Sequence, residues 1–251
     1  MAKVKVAWFD FTCCEGCQIE MTNFGEPFLQ LLEHVEPVEF REAMSETAES
    51  FDVAFVEGSF SREADRARLE DIRRRAGVVV AYGSCATSGG INALKNHQGM
   101  DSFKEAVYGA DKDMPHLDTF PEAKPISAAI KVDYEIRGCP ISRDEFVRVV
   151  QQLLHGVAKV YIPSYPVCVE CKRIETVCRY DDGDHCMGMV AQAGCGAPCP
   201  AAGIPCEACR GMVDQPNQPA LVKTLRERGG LSDAWAHSKS RMFTANFREE
   251  Q

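Results

Sequence analysis

Eight of the chain's 13 cysteines fall within the 42 residues from Cys168 to Cys209, at the spacing C168-x2-C171-x6-C178-x7-C186-x8-C195-x3-C199-x6-C206-x2-C209. A structural cysteine behaves as a small hydrophobe and follows the apolar period of its helix or strand. This run follows none. The residues between the thiols include Asp181, Asp182, Gly183, Asp184, Gly194, Gly196, Pro198, Pro200, Gly203 and Pro205, which favour turns and give little to a core. Bound metal is the natural way to hold such a stretch together, either as two four-thiolate zinc sites or as two iron-sulfur cubanes.

The rest of the 251-residue chain is ordinary for a soluble globular protein, with 45% hydrophobic and 26% charged residues. A formal net charge of −9 argues against nucleic acid as a partner, because phosphate binding needs a basic surface. No apolar run approaches the ~20 residues of a membrane span. The N-terminal MAKVKVAWFDF has neither a leader pattern nor a preceding twin-arginine pair, so a reducing cytoplasm is expected. There, clustered cysteines are more often metal ligands than disulfides.

The first part of the chain reads as alternating strands and helices. Strands are expected at residues 3–9, 35–40, 53–58, 77–82 and within KVDYEIRG at 131–138. Helices are expected in QIEMTNFGEPFLQLLEHV, with a break or kink at Gly25 and Pro27, in the arginine-rich 61–76, and in SRDEFVRVVQQLLHG. Residues 95–125 read as a polar segment with scattered prolines. This order predicts an α/β fold with a doubly wound parallel sheet, flavodoxin-like in strand order, over residues 1–160. A smaller, loop-rich cysteine domain follows over 161–251, beginning near the two prolines of YIPSYP. Its tail, from Asp214, is expected to hold one short helix, PALVKTLRERGG, and a polar end that is mobile or lies across a partner.

The other five cysteines are Cys13, Cys14, Cys17, Cys85 and Cys139. Cys14 and Cys17, Cys85 and Cys139 each lie just beyond the carboxyl end of an expected strand, the edge at which open parallel sheets bind ligands. They form a third set of four, and the neighbouring Gly16, Gly83 and Gly138 let backbone approach a bound group closely. Cys13 is left over and reads as a packing thiol. A structural zinc usually serves a domain short of core, and the sheet has its own core. Three quartets in one chain therefore read as an electron wire.

These elements resemble the small, electron-transfer subunit of nickel-iron hydrogenases over nearly the whole chain. The resemblance is carried by CCEGCQ after the first strand, VEGS at 56–59, YGSCATSGG, RGCP at 137–140 and C-x8-C-x3-CP-x6-C-x2-CRG at 186–211. It implies three 4Fe-4S clusters in this chain and a nickel-iron centre on a partner large subunit, where hydrogen is split. By position, Cys14, Cys17, Cys85 and Cys139 match the proximal ligands. Cys168, Cys171, Cys178 and Cys186 match the distal set, and Cys195, Cys199, Cys206 and Cys209 the medial set. An interleaved division of these eight is the alternative. Cys168 stands where the membrane-linked, periplasmic members of the family carry a histidine. That points to the cytoplasmic, group 3-like enzymes, which include NAD(P)-linked, sulfhydrogenase and methyl-viologen-reducing hydrogenases and pass electrons to iron-sulfur, flavin or other soluble acceptor subunits.

Some neighbours of the cysteines carry weaker signals. Glu15 and Glu57 read as surface carboxylates at the domain edge, with a proton-path or interface role as the functional alternative. His185 reads as an exposed turn residue beside Cys186, and Lys172 and Arg173 offer charge to an electron-accepting partner. Two other readings compete with the hydrogenase one. A complex I-like quinone-reducing module shares the paired CC and the GCP but lacks the eight-cysteine extension, and a zinc-stabilised interaction protein would carry no redox chemistry. No G-x-G-x-x-G motif is present, so nicotinamide or flavin chemistry is assigned to another subunit.

Overall fold

The computed structural model describes residues 3–109, 122–157 and 159–246. Five strands, β1 (Val4–Asp10), β2 (Val35–Phe40), β3 (Phe51–Glu57), β4 (Ala76–Tyr82) and β5 (Tyr134–Ile136), form one sheet in the order β2-β1-β3-β4-β5. Every pairing is parallel. This is the flavodoxin-like order expected from the sequence, with the turn of direction at β1 and β3. Strands β1, β3 and β4 are rich in Val, Ala and aromatic residues and are buried on both faces, as a covered parallel sheet requires.

The two faces have different fillings. On one, Trp8, Phe55, Tyr82 and Ile136 pack against Cys17, Met21, Leu31, Phe146, Val149 and Val150. These last residues belong to α1 (Gly16–Thr22), α2 (Glu26–Leu32) and α6 (Arg143–Leu154). The expected first helix is thus two, separated at Asn23–Gly25, where Gly25 has φ 71° and Pro27 begins the next turn. On the other face, Phe9, Ala54, Val56, Val79 and Ala81 meet Leu69 and Ile72 of α3 (Asp65–Arg75) and Ala86 of α4 (Ser84–Ser88). The arginine-rich α3 keeps most of its charge in water, yet Arg75 also lies 4.9 Å over the Phe51 ring.

A 3-10 helix at Gly90–His97 and α5 (Met100–Tyr108) give regular structure to part of the expected polar segment, whose residues 110–121 lie outside the described residues. Ser142 caps α6 by accepting the Glu145 N–H. Beyond it come α7 (Val167–Arg173), α8 (Pro198–Ala201), α9 (Gln218–Glu227) and α10 (Asp233–Arg241), around a separate cluster of Val167, Met187, Val190, Met212, Leu221, Leu225 and Ala236. Among the described residues no helix is long and apolar enough to cross a membrane.

The tail departs from expectation. Ser232 caps α10 through the Trp235 N–H, and Phe243 and Thr244 beyond it are buried. Asn246 then donates to the Ser88 and Ala123 carbonyls at 2.9 and 3.0 Å, fastening the tail to the sheet region. The tail as far as Asn246 is therefore packed on its own chain, and residues 247–251 lie outside the described residues. The helix that leads to it is only nine residues long, too short for its apolar period to stand out.

Candidate metal centres

The crevice at the carboxyl ends of β1, β3, β4 and β5 collects the first quartet. Cys14 precedes α1 and Cys17 lies in its first turn, after Glu15 turns the chain with φ 59°. The helix opens without a capping side chain of its own. Its N–H groups at Cys17 and Gln18 instead donate to the two Glu57 oxygens, each at 3.1 Å. Glu57 ends β3 and is 2% exposed, so its reading as a surface carboxylate does not hold. Burial raises its pKa, against the pull of those two N–H donors.

Cys85 follows β4 and Cys139 follows β5, and backbone bonds staple the two loops: Gly83 N–H to Ile136 O at 2.8 Å and Ser84 N–H to Gly138 O at 2.7 Å. Glycine is needed at several places here. A Cβ on Gly83, whose φ is +83°, would lie 2.6 Å from Cys17 Sγ, and one on Gly90 3.1 Å from Cys85 Sγ. Burial pushes the Cys85 thiol up to about 12, with Cys139, Cys13 and Cys14 adding to it. Burial likewise pushes Cys139 up to about 11, helped by Cys209 and Cys14, and raises Cys17. Cys13, expected to be a packing thiol, is brought to the same crevice beside Cys85, where burial and then Glu57 push it up to about 12.

The eight later cysteines group as consecutive fours. Cys168 and Cys171, one turn apart on α7, line a cavity of about 90 Å³ together with Cys178 and Cys186. That is several times the ~10–15 Å³ one water-sized group requires. A Cβ on Gly188 would lie 3.4 Å from Cys186 Sγ and 3.6 Å from Cys168 Sγ, so this glycine leaves room among the thiols. Cys195, Cys199, Cys206 and Cys209 line a second, larger cleft, which also reaches Cys139. Burial pushes Cys168 and Cys195 up to about 11 and raises Cys206 and Cys209.

Two contacts string the three groups together. Ser84 Oγ, beside Cys85, donates to the Cys209 carbonyl, joining the first quartet to the one that holds Cys195. At the other end the Cys206 N–H points at Cys186 Sγ, 3.4 Å away, joining that quartet to the α7 group. The Cys195 quartet therefore lies between the other two.

The thiols fit iron-sulfur clusters as a donor set. All are free, and burial disfavours bare thiolates unless a positively charged group sits among them. Four thiolates are also the donor set of a structural zinc site, and metal and sulfide content tells the two apart.

Sequence reasoning missed Arg210 and Glu145, 2% and 1% exposed at the side chain, which pair through both carboxylate oxygens at 2.7 and 2.8 Å. Arg210 also donates to the carbonyls of Arg137, Gln192 and Ala193, tying the segment after Cys209 to the loop before Cys139. The partners are 65 residues apart, and neither stands out by pattern. His185 is not exposed as expected: its ring is held between Asp184, 2.9 Å away, and Glu207, 3.4 Å away. Lys172 and Arg173 are exposed, next to exposed Ile174 and Val177.

Comparison with known proteins accords with this architecture. The family described as NADH ubiquinone oxidoreductase, 20 Kd subunit, matches residues 14–153. Sulfhydrogenase 2 subunit delta of Pyrococcus furiosus is 34% identical over 89% of this chain and 93% of its own length. A vhu subunit of the F420-non-reducing hydrogenase of Methanocaldococcus jannaschii is 32% identical over 84% of this chain and 83% of its own. Among solved structures, a chain of an NAD+-reducing [NiFe]-hydrogenase in the H2-reduced state aligns with TM-score 0.57 and 26% identity, covering 64% of this chain and 96% of that one. Both relatives extend across the eight-cysteine region, which the family match at 14–153 does not reach. The chain belongs to the NADH ubiquinone oxidoreductase 20 kDa subunit family, and within it to the nickel-iron hydrogenase subunits.

Proposed function

We propose that this chain is the electron-conducting subunit of its hydrogenase, with three 4Fe-4S clusters held by Cys14, Cys17, Cys85 and Cys139 (proximal), Cys195, Cys199, Cys206 and Cys209 (medial), and Cys168, Cys171, Cys178 and Cys186 (distal). The observation that carries the reading is the serial arrangement: Ser84 meets Cys209 at one junction and Cys206 meets Cys186 at the other. When bound, such clusters supply one-electron transfer at potentials set by ligation, N–H contacts and burial.

The protein's own part is to hold, space and shield. Glu57 fixes the α1 amides and so the direction of Cys17. Gly83, Gly90 and Gly188 leave the backbone close to sulfur, where a larger residue would crowd it. Arg210 and Glu145 clamp the proximal and medial segments together. Burial of Cys17, Cys186 and Cys206 keeps solvent from one sulfur in each set.

Each end of the series has an open face. At the proximal end Cys14 and Cys139 are exposed, and Ile19, on the helix of Cys17, and Ile91, on the 3-10 helix after that of Cys85, are 53% and 47% exposed. This is the face assigned to the large subunit with its nickel-iron centre. At the distal end exposed Cys178 sits beside Val177, Ile174, Lys172 and Arg173, the face assigned to a soluble iron-sulfur or flavin acceptor subunit. Residence in the cytoplasm goes with such an acceptor.

Anaerobic purification with co-eluting chains retained tests the assignment. A nickel-containing partner and hydrogen-dependent reduction of a viologen dye are expected from the complex. Isolation as a nickel-free assembly with no hydrogen-dependent dye reduction would overturn it.

A further inference from the structure

Glu170 lies on α7 between Cys168 and Cys171, yet its side chain serves the neighbouring quartet. One oxygen accepts the Gly194 N–H at 2.9 Å and the other the Gly196 N–H at 3.1 Å, and the second oxygen lies 3.9 Å from Cys195 Sγ. The same loop is held from its other side by Arg210, which donates to the Gln192 and Ala193 carbonyls at 3.1 and 3.0 Å. Gly194 has no room for a side chain, because a Cβ there would strike both the Arg210 guanidinium and the Glu145 carboxylate.

The two clamps differ in charge balance. Arg210 is paired with Glu145 through two bonds, and it bears on Cys195 in the opposite sense to Glu170, as the smaller of the two effects. The partners of Glu170 are two backbone amides and a thiol, with no cation among them. A carboxylate against a cluster's sulfur, only partly offset by Arg210, disfavours the added electron.

We infer that Glu170 is a positioning residue of the medial centre, which fixes the Cys195 loop and lowers the reduction potential of that centre more than of either neighbour. The inference rests on the electron-conducting reading proposed above. Glu57 stands in the corresponding place at the proximal set, where two backbone amides also hold it, so the proximal and the medial centre each carry a carboxylate of this kind.

The test is a potentiometric titration of the whole complex, with EPR signals followed for each centre, comparing wild type with Glu170→Gln and Glu170→Asp. Gln keeps the shape and loses the charge. At a fixed ambient potential its medial centre is expected to show a reduced-to-oxidised ratio at least about tenfold higher, since one charge within about 10 Å at an effective dielectric near 20 is worth that much. The distal centre shifts less and the proximal one not at all. Asp keeps the charge on a shorter arm, so its ratio stays within about twofold of wild type while the medial EPR line shape changes. Equal shifts at medial and distal centres, no medial shift in Glu170→Gln, or an equal shift in both variants would overturn the inference. Should Glu170→Gln lose only the medial signal, the loop-fixing half stands, and Glu170→Asp then decides the charge half. A wild-type complex without iron-sulfur signals would instead refute the conducting reading itself.

Discussion

The sheet region and the cysteine-rich region hold their chains together by different means. Residues of β1, β3 and β4 bury both faces, and one face alone brings the rings of Trp8, Phe40, Phe55, Tyr82 and Phe146 into contact. Around α7 to α10 the buried cluster of described residues holds no fully buried aromatic, and Cys186 and Cys206 are among its members. The first region has apolar burial to spare, whereas the second makes its thiols part of its core. A region built like the second needs something bound between its thiols, and one built like the first does not.

Removing iron and sulfide from the chain is the largest perturbation of that contrast. Amides of residues 165–212 are expected to lose hydrogen-exchange protection, while those of β1, β3 and β4 keep it, because a structural metal site is worth on the order of 10 kcal/mol of local folding. Loss of protection in both regions together would erase the distinction. On the metal-loaded chain, Cys17→Ser should remove about four iron atoms and Cys13→Ser none. Equal loss would make Cys13 a ligand.

Smaller effects come from single packing and charge groups. Phe55→Ala should cost roughly 3–5 kcal/mol in chemical denaturation of the sheet region with no change in iron content. Arg210→Met leaves buried Glu145 with only the more distant Arg148 guanidinium, 4.0 Å away, and should cost roughly 3–5 kcal/mol, most of it recovered when Glu145→Met is added. No recovery in the double variant would mean that the three carbonyl contacts of Arg210 dominate.

The mildest test uses pH on the metal-free chain. Unfolded thiols ionise near the ordinary value of 9.0, whereas burial holds folded Cys85 at about 12 and Cys139 at about 11. The unfolded state therefore releases protons first, so stability is complete below the unfolded value and falls as pH rises toward the folded ones. The urea midpoint should drop as pH rises from about 9 toward 11 to 12 without metal, and stay level with it.

The same contrast explains what could be read from the sequence. The strands were legible as short apolar segments, and with them the position of Cys14, Cys85 and Cys139 just beyond the ends of β1, β4 and β5. β5 itself is only Tyr134–Ile136, so the motif RGCP marked its end better than its own pattern did. The consecutive grouping of the later eight was not legible from spacing, since intervals of two to eight allow several divisions. Glu57, Glu170 and Arg210 escaped for a common reason: a charged residue reads as solvated until its partners are brought to it, and these lie 24 residues away for Glu170 and Gly194 and 65 for Arg210 and Glu145.

One measurement bears most directly on the three-centre account: iron, acid-labile sulfide and zinc determined per chain on anaerobically purified complex, after correction for the iron of co-purifying subunits. The account predicts about twelve iron and twelve sulfide in this chain. About three zinc with no sulfide would contradict it and leave a chain whose three quartets are structural staples.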